Sequence, residues 1–136
     1  MHGKIKSRKG FYVGDICYVL SDEVYNGIWG NKGHYKDGTF DVPCETGRSD
    51  STGRRFTVGS TAYGDGLYLD DEGREFPVDA GNIGLVPLEL VENDVGSGFG
   101  TVVYTPGEAT LRCKDGVFDI TLPERFSIHI DTRDDF

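Results

Sequence analysis

Two aspartates flanked by glycine-rich turns, Asp65 and Asp79, are the residues in this chain best spaced for chemistry. Tyr63-Gly64-Asp65-Gly66 opens a short span, Asp70-Asp71-Glu72-Gly73 turns it, and Asp79-Ala80-Gly81 closes it. If residues 70–74 form a hairpin loop, Leu69 faces Glu75, Leu67 faces Pro77 and Asp65 faces Asp79. Directly opposed residues hold their Cβ atoms roughly 4.5–5.5 Å apart, so two carboxylates would share the hairpin's open end. Three chemistries fit such a pair. One is a Ca²⁺ or Mg²⁺ site completed by oxygens of Ser60, Thr61, Tyr63 or Asn82, and another is a general acid–base pair of a cation-dependent hydrolase. The third is local, each aspartate accepting hydrogen bonds from N–H groups of its own turn. A Ca²⁺-binding helix–loop–helix reading fails, because placing Gly73 at the loop's sixth position puts Tyr68 where the first carboxylate belongs.

Other catalytic signals are weak. Cys44 adjoins a polar loop and His34 precedes it in a hairpin strand, so a Cys–His pair is conceivable, but no motif supplies an orienting group or an oxyanion site. Cys17 and Cys113 lie within apolar runs, and the three cysteines lack metal-ligand spacing. No phosphate-binding loop is present: GSTAYGDG lacks the Lys-Ser/Thr ending. His129, between Ile128 and Ile130, reads as a strand residue on a polar face.

The charge is asymmetric. The net is −9, yet residues 1–10 hold Lys4, Lys6, Arg8 and Lys9 with no acid. Residues 60–98 carry nine acids against Arg74 alone. A surface so charged repels phosphate backbones and anionic lipids and attracts basic proteins or cations. Asp65, Asp70, Asp71, Glu72, Glu75 and Asp79 are therefore the candidate partner-binding residues, and Asp65 with Asp79 the candidate cation ligands. The expected partner is a protein with a basic surface, with no direct nucleic-acid contact and no membrane. An exposed aromatic patch of Trp29, Tyr35, Tyr63 and Tyr68 would instead suit a structural or decoration component of a larger assembly.

Period-2 patterning recurs along the chain and sustained helical periodicity is almost absent. Phe11–Val13 and Ile16–Leu20 read as strands. Ser21 reads as the N-cap of one short helix that places Val24 and Tyr25 four residues before Ile28 and Trp29. KDGTFDV and KDGVFDI, at Lys36 and Lys114, each read as a hairpin turn followed by a strand. Ile83–Val91 is the most apolar segment. About ten short strands with one short helix predict an all-β fold, a small barrel or two-sheet sandwich. Residues 1–10 read as a basic N-terminal arm and 11–136 as a single β domain. With neither a signal-like apolar run nor a membrane span, a cytoplasmic protein with reduced thiols is expected.

The segments Gly14-Asp15-Ile16-Cys17-Tyr18, Tyr63-Gly64-Asp65-Gly66-Leu67-Tyr68 and Asp79-Ala80-Gly81-Asn82-Ile83-Gly84 resemble a pattern in small proteins of bacteria and their phages that lack an assigned function. The resemblance spans about residues 11–91. It implies a bacterial or phage cytosolic setting and carries over no catalytic residue.

Overall fold

The apolar runs around Phe11 and Ile83 become neighbouring strands of a sheet buried on both faces. In a computed structural model, which describes residues 1–27, 37–42, 52–92 and 100–133, eleven strands are present among the described residues. They are β1 (His2–Ser7), β2 (Phe11–Gly14), β3 (Gly38–Asp41), β4 (Arg55–Ser60), β5 (Gly66–Leu69) and β6 (Glu75–Val78). There follow β7 (Asn82–Pro87), β8 (Gly100–Val103), β9 (Gly107–Lys114), β10 (Val117–Thr121) and β11 (Ser127–Asp131). One α-helix, α1 (Asp22–Gly27), and three 3-10 turns complete the described elements.

The strands form a sandwich. A five-stranded sheet of order β3-β4-β7-β2-β8 packs against a four-stranded sheet of order β1-β9-β10-β11, and β5 and β6 form a separate hairpin. Phe11, Val13, Ile83 and Leu85 face a core shared with Leu111, Phe118, Ile120, Ile128 and Ile130 of the four-stranded sheet. On the other face, Tyr12, Val58 and Val86 pack with Ile16, Val19, Leu20 and Leu90, and Val24 and Tyr25 of α1 cover them. Burial on both faces explains why β2 and β7 read as continuous apolar runs. The four-stranded sheet has one wet face, so its strands alternate, as β1 does with Gly3, Ile5 and Ser7 inward.

Two local rules are met closely. Asp115 and Gly116, with φ of 53° and 81°, make the two-residue turn between β9 and β10 whose backbone matches strand twist. Ser21 caps α1, its hydroxyl accepting the Val24 N–H at 3.3 Å. Gly84, at the centre of β7, is required for packing: a Cβ there would lie 2.4 Å from Ile16 Cγ2.

Two expectations differ from the structure, and a third falls partly outside the described residues. Residues 1–10 are not an arm outside the β domain, because His2–Ser7 pairs along its whole length with β9. Ile16–Tyr18 is a 3-10 turn, not a strand, because the Asp15 carboxylate accepts the Cys17 N–H and caps it. Gly38 is the first residue of β3 opposite Val58, and the strand expected before it, His34–Lys36, lies outside the described residues.

Candidate functional site

The β5–β6 hairpin forms with the register its sequence predicts. Leu67 pairs with Pro77 and Leu69 with Glu75, while Tyr68 pairs with Phe76. Opposed residues share a face, so the hairpin has two unlike sides. Tyr68, Phe76 and Val78 enter the main core. Leu67, Leu69, Pro77 and Glu75 form the outer side, with Leu67 52% exposed. Asp65 and Asp79 flank the last paired residues, Gly66 and Val78, so they stand at the hairpin's open end.

That open end is fastened by Asp15. This aspartate is fully buried, and its carboxylate accepts three backbone N–H groups: Cys17 at 2.9 Å, and Asp79 and Ala80 at 2.7 Å each. Tyr12 donates its hydroxyl to the Asp15 carbonyl at 2.9 Å. Asn82, also buried, accepts the Ile16 N–H at 3.2 Å through Oδ1. Tyr18 then donates its hydroxyl to the Asp79 carboxylate at 2.6 Å. Nearby, Thr61 and Tyr68 both donate to the Gly64 carbonyl, at 2.7 and 2.8 Å. The Thr61 N–H donates to the Gly81 carbonyl at 3.1 Å, so the segments around Asp15, Tyr63 and Asp79 meet in one hydrogen-bonded corner. Its central carboxylate is satisfied by the backbone, which makes Asp15 a fastening and not a reacting group.

The loop end is fastened separately. Asp70 is buried, accepting the Glu72 and Arg74 N–H groups at 3.0 and 2.8 Å and the Arg74 guanidinium at 2.6 Å. Arg74 in turn lies over the Phe126 ring, 4.9 Å from its centroid. The Asp71 N–H reaches the His129 carbonyl at 3.2 Å, tying the loop to β11. Of the six acids expected at a partner surface, Asp70 is therefore engaged inside its own turn. Asp65, Asp71, Glu72, Glu75 and Asp79 are exposed. Elsewhere in the acidic span, Glu89 accepts from the Ser7 hydroxyl and, at 3.0 Å, from the Arg8 N–H.

Among the described residues, the thiols of Cys17 and Cys113 are poorly suited to nucleophilic work. Burial, and then the charge of Asp15, push the half-buried Cys17 thiol up to about 12, and burial raises Cys113 to about 11, so both remain protonated near neutrality. Burial followed by the bond to Asp79 likewise raises the Tyr18 hydroxyl. His129 Nδ1 bonds the Asp119 carboxylate, which raises the imidazole above its ordinary value. Cys44 and His34 lie outside the described residues, as do Trp29 and Tyr35 of the expected aromatic patch. Of that patch, Tyr68 is buried and Tyr63 is 68% exposed.

Among the described residues, no three His, Cys, Asp or Glu side chains converge where they could hold a metal ion. Among them, too, no helix is long and apolar enough to cross a membrane. Sequence reasoning finds the exposed acids and names Thr61 and Asn82 beside them, but not Asp15 or Tyr18 as their support, nor Leu67 as an exposed apolar residue among them. The signal for Asp15 was its place before a short apolar run, where an N-cap belongs. No family model, no curated protein and no solved structure matches this chain.

Proposed function

We propose that this protein is a non-enzymatic, acidic interaction module of bacterial or phage type, whose β5–β6 hairpin binds a protein with a basic surface. The observation that carries the reading is the outer side of that hairpin. Leu67, with Leu69 and Pro77 beside it, is an apolar spot bordered by the exposed acids Asp65, Asp71, Glu72, Glu75 and Asp79. An apolar anchor inside a charged rim is the usual anatomy of a protein interface. The carboxylates would occupy cationic ground that a phosphate backbone otherwise takes, so the partner proposed is a nucleic-acid-binding protein and the action inhibition or regulation.

The hairpin is also pre-organised. Its inner side is part of the core, Asp70 and Arg74 hold its loop, and Asp15 holds its open end. Little ordering cost remains for binding. The test is affinity capture from a bacterial host extract, repeated with the purified partner at about 50 and 300 mM salt. The reading expects a partner with a basic surface whose affinity falls at least about tenfold across that range. A partner of acidic surface, or binding indifferent to salt, would contradict it.

A further inference from the structure

The outer face of the four-stranded sheet carries charge of both signs, divided along the seam between β9 and β10. On one side stand Lys4 and Lys6 of β1 and Arg112 and Lys114 of β9; on the other stand Asp119 of β10 and Asp131 of β11. Glu108, paired with Lys4 at 3.4 Å, is the acid on the basic side, and Arg133, paired with Asp131 at 2.9 Å, is the base on the acidic side. Among the described residues neither Arg112 nor Lys114 has an ion-pair partner. Arg112 is the register partner of Asp119, yet the Asp119 carboxylate bonds His129. A depression of about 480 Å³ lies between these groups, lined by Arg112, Lys114, Asp115, Val117, Asp119 and Arg133.

The register makes this face self-complementary. His2, Arg112, Asp119 and His129 form one straight row across the four strands. A two-fold axis parallel to the strands, above the β9–β10 seam, lays β9 of each copy over β10 of the other. Arg112 of one copy then meets Asp119 of the second, and the same pair recurs by symmetry. Lys114 falls over Val117 of the second copy, between its Asp119 and Asp131. Aligned sheets pack with their strands within about 30° of each other, which keeps the central pairs together.

We infer that this face is an isologous interface through which two copies of the chain associate, with reciprocal Arg112–Asp119 pairs at its centre. The occupant is a second copy because one face supplies both signs in symmetric register, which a uniformly acidic or basic partner would not match. Four strands of about five residues offer roughly 300–400 Å² per copy, below the ~800 Å² of a standard interface. The dimer is therefore weak and salt-sensitive. It uses a different surface from the hairpin and does not depend on the binding proposed there.

Sedimentation equilibrium at about 50 mM salt tests it, comparing the unmodified chain with Arg112→Glu, Asp119→Lys and the double variant. The expected result is a mass rising toward the dimer with concentration, and a dimer Kd at least about tenfold weaker in either single variant. Association returns in the double variant and in an equimolar mixture of the two singles. A chain monomeric up to about 1 mM, single variants that associate as the unmodified chain does, or a folded double variant that stays monomeric would overturn the inference. If a variant fails to fold, a dilution series on the unmodified chain decides the matter: concentration-dependent amide shifts on β9 and β10 support the interface, and shifts confined to other surfaces, or none, refute it.

Discussion

The carboxylate of Asp15 accepts the backbone N–H of Asp79 at 2.7 Å, across 64 residues of chain. One buried side chain thereby fixes where the acidic hairpin leaves the five-stranded sheet, since the same oxygen also holds the Ala80 N–H. Replacing this carboxylate by an amide leaves one oxygen for three donors and turns an N–H₂ group toward the rest. Asp15→Asn is expected to cost about 2–4 kcal/mol of stability, because charged hydrogen bonds are lost and buried donors are orphaned. Urea unfolding measures it, and a loss below about 0.5 kcal/mol would contradict the fastening role. Tyr18→Phe, which removes only the outward bond to Asp79, is expected to cost less than about 1 kcal/mol in the same assay.

Gly84 lies where β7 passes under Ile16. Its substitution by alanine brings a methyl group to 2.4 Å from Ile16 Cγ2 and 3.2 Å from the Thr57 carbonyl oxygen. Gly84→Ala is expected to destabilise by about 1–3 kcal/mol through overpacking. Thermal unfolding checks this, and an unchanged or raised Tm would mean that the 3-10 turn moves freely away from the sheet.

Much of the hairpin was legible in sequence, and its reasons are local. Asp70–Gly73 announces a turn, and the residues on either side alternate, which fixes Leu67 opposite Pro77. Asp115-Gly116 is equally plain, because that dipeptide tolerates the left-handed backbone the turn needs. Ile16–Leu20 was not legible: a buried 3-10 turn and a buried strand present the same apolar run, and periodicity cannot separate them. β1 was faint because HGKIKS has one large apolar residue, with Gly3 and Ser7 at its other inward positions. The burial of Asp70 and the reach of Asp15 depend on partners brought together by folding, so composition places all six candidate acids of the span on one surface when Asp70 is inside.

His129 titrates against a carboxylate partner. Its bond to Asp119 raises the imidazole in the folded chain above its ordinary value of 6.5, with the charges of Asp71 and Asp131 adding to the effect. The pair's contribution to stability is therefore complete below the unfolded imidazole's value and is lost as pH rises through the folded one. The side chain is 41% exposed, so the gain is below about 1 kcal/mol. NMR titration of the ring protons is expected to show a midpoint above 6.5 that falls in Asp119→Asn. An unmoved midpoint in that variant would contradict the pairing.

The hairpin's outer side is proposed to bind and not to hold the fold. Leu67 is 52% exposed, so Leu67→Ser is expected to change stability by no more than about 0.5 kcal/mol. If unfolding shows a loss of several kcal/mol, Leu67 belongs to the core and the apolar spot is not a free surface.

The most direct measurement of the account is partner binding by Leu67→Lys/Glu75→Lys beside the unmodified chain, with circular dichroism confirming that both are folded. Reversing charge and removing the apolar anchor on one face is expected to weaken binding at least about a hundredfold, while Arg112→Glu leaves it unchanged. Equal binding by the hairpin variant and the unmodified chain would contradict the claim that this hairpin is the contact surface.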